Sequence, residues 1–169
     1  MGGAMMKRGV CLVAVGLLVG GCAPEQSSEL PTAEVVVGVF EYEGAMEAEI
    51  VGNVAVLRVA QDPLQLRRGG SLWAKVAPYI FLFSAETQLL FDDYQGLAAV
   101  RVITVVGDAE VANVILAADD LNDLLWRRSL NISGLARRDG TERLTLLEDL
   151  VEWGERHTDF TYNERFTRR

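Results

Sequence analysis

The stretch from Leu97 to Ala117 reads LAAVRVITVVGDAEVANVILA, and its reading decides the fold class. Leu97–Val106 is rich in β-branched residues and reads as a strand, Gly107-Asp108 as a turn, and Glu110–Ala117 as a second strand folded back on the first. A helix remains the alternative for that second piece, because Val111, Ile115 and Ala118 also share a helical face. From Asp119 onward the apolar period lengthens from two to about 3.6. A sheet built from hairpins and followed by helices is an α+β pattern.

Working outward, Leu121, Leu124, Leu125, Ile132 and Leu135 line one face of a helix that Asp119 and Asp120 begin, with Trp126 and Leu130 beside it. Asp139-Gly140-Thr141-Glu142 has the spacing of a capping box. The helix after it presents Leu144, Leu147, Leu150, Val151 and Gly154 inward. The tail from Thr158 to Phe166, with Phe160 and Tyr162, supplies a final strand or a cover for an open core edge.

Upstream, Glu34–Glu43 (EVVVGVFEYE) reads as a strand and Glu49–Ala60 (EIVGNVAVLRVA) as its antiparallel neighbour, with a bulge or close approach at Gly52. Asp62-Pro63 stops it, and Arg67–Ser71 (RRGGS) reads as a loop. Leu72–Phe83 (LWAKVAPYIFLF) reads as a buried strand bent at Pro78. Ser84 caps a short helix, Ala85–Tyr94, ended by Gln95-Gly96. The expectation is an antiparallel sheet of about five strands, with this short helix and a C-terminal helix pair packed on one face.

The N-terminal end carries a different kind of information. Lys7 and Arg8 precede an apolar run from Gly9 to Gly20, and Gly20-Gly21-Cys22 follows. Basic start, apolar core and small residues, in that order, are the parts of a secretory signal. The run is shorter than the roughly 20 apolar residues a membrane span needs. Val19-Gly20-Gly21-Cys22 resembles the lipobox of bacterial lipoprotein precursors, although Val19 stands where leucine is commoner. The resemblance covers the first 22 residues. It implies cleavage between Gly21 and Cys22, a diacylglyceryl group on the Cys22 thiol, and acylation of the new amino group. Two or more acyl chains anchor firmly, whereas one holds only reversibly. Ala23, where an aspartate would retain the protein at the inner membrane, implies transfer to the outer membrane, facing the periplasm.

On this reading the chain divides into a signal peptide (1–21), a lipidated N-terminus and flexible tether (22–33) containing Pro24 and Pro31, and one α+β domain (34–169). After residue 21, 14 basic residues remain against 24 acidic ones, a net charge of −10. So acidic a chain is repelled by nucleic acid, which is excluded as a partner. Cys11 leaves with the signal and lipid takes Cys22, so no thiol remains for a disulfide, a zinc cluster or a nucleophile.

No residue pattern in the domain identifies a reaction. His157 is the one histidine, with no serine or thiol nucleophile marked beside it, and it reads as a helix-end residue. The clusters Asp92-Asp93, Asp119-Asp120-Asp123 and Glu148-Asp149-Glu152-Glu155 lack the spacing of a calcium loop. Asp123–Arg127 and Glu152–Arg156 read instead as i,i+4 ion pairs on wet faces. Arg67-Arg68, Arg127-Arg128 and Arg137-Arg138, with Arg165, Arg168 and Arg169, offer forks that fit phosphates or carboxylates, and also read simply as solvated surface. Trp73, Trp126 and Trp153 sit in apolar patterns, and any of them left exposed would anchor an interface.

The functional expectation is a lipid-anchored envelope lipoprotein, held in the membrane through Cys22, that acts as a binding or assembly module for an envelope protein partner. Trp126, Arg127 and Arg128 are its candidate interface. No catalytic residue, metal ligand or cofactor is nominated, and the oligomeric state is left open. A periplasmic carrier of a small ligand or lipid is the alternative, followed by an envelope hydrolase.

Overall fold

The computed structural model describes residues 29–168. In chain order its elements are α1 (Ala33–Phe40), β1 (Met46–Val51), β2 (Val54–Ala60), α2 (Pro63–Leu82), α3 (Ala85–Asp93), β3 (Ala99–Val106), β4 (Ala109–Ala117), α4 (Asp123–Asp139), α5 (Leu144–His157), β5 (Asp159–Tyr162) and α6 (Glu164–Thr167). The five strands form one sheet in the order β1-β2-β3-β4-β5. With helices packed around a mostly antiparallel sheet, the domain is α+β. Gly21 and Cys22, and with them the signal peptide and the cleavage site, lie outside the described residues.

The hairpin of β3 and β4 forms as the sequence predicts, with Gly107 at φ +57° in the turn. β5 extends the sheet beyond it, pairing Ala112 with Tyr162 and Val114 with Phe160. One junction departs from the expected antiparallel pattern: β2 and β3 run parallel, joined through α2 and α3. Parallel neighbours need such a crossover, because a tight turn reverses direction. Leu57, Val102 and Val114 stand opposite one another across β2, β3 and β4 and are fully buried. Arg58, Ile103 and Asn113, one residue along, share the opposite and wetter face. α2 packs on β3 and β4, α1 packs on β1, and α5 lies against both α2 and α4.

Two predicted strands are helices. Residues 33–40 form α1, whose N-cap Thr32 accepts from the Val35 N–H at 3.4 Å. Val36 and Phe40, one turn apart, carry its buried side. Three consecutive valines raise β propensity, but burial at i,i+4 overrides so weak a preference. Residues 72–82, along with the predicted loop at 67–71, belong to α2, which Phe83 caps. Val76, Tyr79 and Phe83 are fully buried at the i, i+3, i+7 spacing of one helical face. A 12-residue apolar run exceeds the usual strand of 4–8 residues and fits a helix better. Pro78 sits inside this helix and removes one of its hydrogen bonds.

The strand count survives because one predicted strand is really two and the tail supplies β5. Gly52-Asn53 is a two-residue turn that folds Val51 against Val54, so residues 46–60 make a hairpin on their own. Gly52 stands at φ +63° in that turn rather than in a bulge.

The C-terminal helices form, with shifted faces. Asn122, rather than Asp119 or Asp120, caps α4, accepting from the Leu124 and Leu125 N–H groups. α4 buries Trp126, Ser129, Ser133 and Ala136, while Leu124 is 67 % exposed. The expected capping box does not form: Asp139 closes α4, and Arg143 precedes α5 without a side-chain cap bond. α5 buries Leu147, Leu150, Val151, Trp153 and Gly154 as expected, but Leu144 faces out.

Candidate binding grooves around the break in α2

α2 begins where Asp62 accepts from the Leu64 N–H at 2.8 Å and Pro63 occupies the first turn. At Gly70 it breaks, with φ +64° and ψ −153°, a backbone region that only glycine enters without strain. The residues after the break run through the core. The segment before it, Pro63–Arg68, lies on the surface with grooves on either side.

On one side, Arg67, Arg165 and Arg168 line a groove of about 400 Å³ over an apolar floor of Leu66, Val106 and Phe166. On the other side, Tyr42, Trp73, Ile80 and Phe81 with Gln61 and Gln65 line a groove of about 340 Å³ between β2 and α2. The rings of Tyr42 and Phe81 meet edge to face at 5.2 Å. Gln61 Oε1 is buried without a hydrogen-bond partner on this wall. Next to it, a groove of about 520 Å³ runs past Trp73 to Leu64 and Leu144, both more than half exposed. Trp73 therefore serves two grooves.

Beyond Ser71 the face of the same helix turned to the core is sealed. Tyr79 is fully buried, and its hydroxyl lies 2.5 Å from that of Tyr162 on β5. Burial pushes the Tyr79 hydroxyl up to about 12. Burial raises Tyr162 as well, helped by its hydrogen bond to Tyr79. Two neutral hydroxyls satisfying each other tie β5 to α2 rather than serving as nucleophiles. Lys75 closes the rim, 3.1 Å from Glu155 and 4.8 Å over the Tyr162 ring. Gly154 allows α5 to approach so closely that a Cβ there would stand 2.3 Å from the Tyr79 ring.

The sequence-nominated interface is divided by the fold. Trp126 is 6 % exposed and packs on Phe91, whereas Arg127 and Arg128 are exposed. Arg127 donates to the Asp123 carbonyl rather than pairing with its carboxylate. The Arg128 guanidinium lies 4.4 Å over the Trp153 ring, whose Nε1 donates to Ser129 at 2.8 Å. His157 stacks on the same indole at 4.0 Å, with Nδ1 2.8 Å from the Trp153 carbonyl oxygen. Glu152 and Arg156 form their expected pair at 3.5 Å. Glu148, Glu152 and Glu155 face a groove of about 320 Å³ with Lys75, and among the described residues no three His, Cys, Asp or Glu side chains are grouped to hold a metal.

The sequence names Trp73 as an interface anchor if exposed and Arg67, Arg165 and Arg168 as forks for phosphates or carboxylates without bringing them together, and it reads Tyr42 only as part of a strand. Arg67 and Arg165 lie 98 positions apart, so only the fold brings them together. Trp73 carried a usable signal, as the tryptophan nearest a glycine pair and an arginine doublet. Comparison of the chain with protein-family models, with curated proteins and with solved structures yields no match.

Proposed function

We propose that this chain is a lipid-anchored lipoprotein of the bacterial envelope that presents its α+β domain as a binding or assembly module, through the surface around the break in α2. The observation that carries this reading is the order Lys7-Arg8, apolar run, Gly20-Gly21-Cys22. Acyl chains on Cys22 hold the domain at the outer membrane, and the residues up to Thr32 separate it from the bilayer. Open grooves beside a surface-exposed helical segment give the module its contact area. An envelope protein is the partner class.

The test is brief crosslinking in cells, affinity purification of the protein from membranes and mass spectrometry. An N-terminal peptide starting at Cys22 with added acyl mass and one stoichiometric envelope partner is the expected result. An unmodified N-terminus overturns the anchor, and a partner set no different from a mock purification overturns the module.

A carrier of small ligands is the second reading, favoured by the aromatic groove of Tyr42, Trp73 and Phe81. Its volume of about 340 Å³ falls in the range of small-molecule sites. Solvent extraction of the natively purified protein tests it: a recurrent small molecule supports a carrier, and an empty extract ends the reading.

A further inference from the structure

Among the described residues, only Arg138, Arg156 and Arg168 of the arginines pair with a carboxylate. The groove between the first half of α2 and α6 is set apart by gathering several arginines in one place. Arg67, Arg165 and Arg168 all line it. Arg168 pairs with Glu164 one turn away. Among the described residues, Arg67 and Arg165 have no carboxylate within ion-pair distance. Arg165 has a single neighbour of note, the Phe166 ring at 5.6 Å, which holds its guanidinium without using its donors.

With Arg168 paired to Glu164, Arg67 and Arg165 are two uncompensated like charges on one concavity that repel, and an anion seated between them reverses the sign of that interaction. The number of donors selects the anion. One guanidinium fork already satisfies the two oxygens of a carboxylate, whereas a tetrahedral phosphate offers acceptors to two or three forks at once. Ser71, also on the wall, adds a hydroxyl. The floor of Leu66, Val106 and Phe166 is apolar and suits the organic part of such a molecule rather than a bare ion.

We infer that this groove binds a phosphate group carried on an apolar body. The inference deepens the binding-module reading by naming what the module takes. An anionic phospholipid headgroup and a soluble phosphoester share this chemistry. The anchor holds the domain near headgroups: seven residues separate Cys22 from Leu30, which packs against the core, a span of at most about 25 Å when extended. Net negative charge turns most of the surface away from an anionic bilayer, so the arginine groove is the face that approaches it.

The full chain, held in non-ionic detergent micelles, is titrated by calorimetry with phosphatidylglycerol dispersed in the same micelles and, separately, with glycerol 3-phosphate. Saturable binding of at least one is expected. In R67Q/R165Q it weakens about tenfold or more, the scale of losing charge-assisted hydrogen bonds. In R137Q/R143Q, which removes the same charge at exposed positions elsewhere, it changes less than about twofold, as for exposed charges in general. Binding of phosphatidylglycerol alone assigns the lipid headgroup, and binding of glycerol 3-phosphate at least as well assigns a soluble phosphoester and overturns the apolar body. Absence of saturable binding for both, or equal loss in the two double variants, overturns the inference. Circular dichroism and thermal midpoints of both variants confirm folding, and R165E serves as a single-site repeat. The acyl mass on Cys22 is measured independently, so an absent anchor and an inert groove are told apart.

Discussion

Residues 71–82 of α2 bury Ala74, Val76, Tyr79 and Leu82 completely, whereas Pro63–Arg68, just before the break, leaves Leu64 53 % exposed and sends two arginines into solvent. The two halves belong to one helix in chain order, and a single glycine conformation separates their tasks. Past Gly70 the polar groups turned to β5 and α5 are paired, Tyr79 with Tyr162 and Lys75 with Glu155. Before it, grooves open on both sides, and Arg67 keeps its donors free among the described residues. Stability is concentrated on the buried face past Gly70 and the arginine groove lies at the segment before it, so a change on the buried face and a change in that segment should be separable.

The largest effect follows from emptying the buried face. Tyr79→Ala removes a fully buried ring and is expected to cost about 3–5 kcal/mol in denaturant unfolding, against less than about 0.5 kcal/mol for Leu64→Ala. Comparable losses at both positions would break the division. Gly154→Val fills space that the Tyr79 ring occupies and is expected to cost about 1–3 kcal/mol by overpacking. An unchanged melting midpoint would show that α5 does not press on α2 there.

Gly70→Ala tests the boundary itself. With φ at +64° and ψ at −153°, a Cβ adds about 1–3 kcal/mol of backbone strain although open space surrounds it. Stabilisation instead would mean that the two halves run as one unbroken helix. Tyr162→Phe is the mildest change, leaving the Tyr79 hydroxyl unpaired at about 1 kcal/mol, and it alters the pH profile. A tyrosine whose pKa is raised by folding stabilises the protein fully below pH 10, and that contribution is lost as pH climbs through the folded value. For Tyr79 the window runs from the ordinary 10.0 to about 12. The unfolding free energy should be flat through neutrality and then fall, by at most about 1.4 kcal/mol per pH unit for each tyrosine. In Tyr162→Phe the alkaline slope should halve, and an equal slope in both proteins would separate the pair from the effect.

The sequence made one end of the molecule readable and left the other ambiguous for a physical reason. β3 and β4 announce themselves because Gly107-Asp108 forces a turn between two β-branched runs, a local signal with a local cause. Ser84 likewise caps α3 as its position predicts, accepting from the Thr87 N–H. Val35-Val36-Val37 and Leu72–Phe83 are apolar on every side, and such segments take their conformation from the neighbours that bury them. The grooves were less legible still. Arg67 and Arg165 become one site only after a crossover and the last strand have placed α2 beside α6, and nothing local to either residue records that. Gly52-Asn53 is the exception, since a Gly-Asn pair between β-branched runs does signal a hairpin.

The strand order β1-β2-β3-β4-β5 has a consequence for how the chain is assembled. Each strand pairs with the one made immediately before it, and none must wedge between two that are already joined. A polypeptide emerging N-terminus first can therefore lay its sheet down by growth at a single advancing edge. Among the described strands β5 is the last to be added, and Tyr162, meeting Tyr79, is the latch that shuts when it joins.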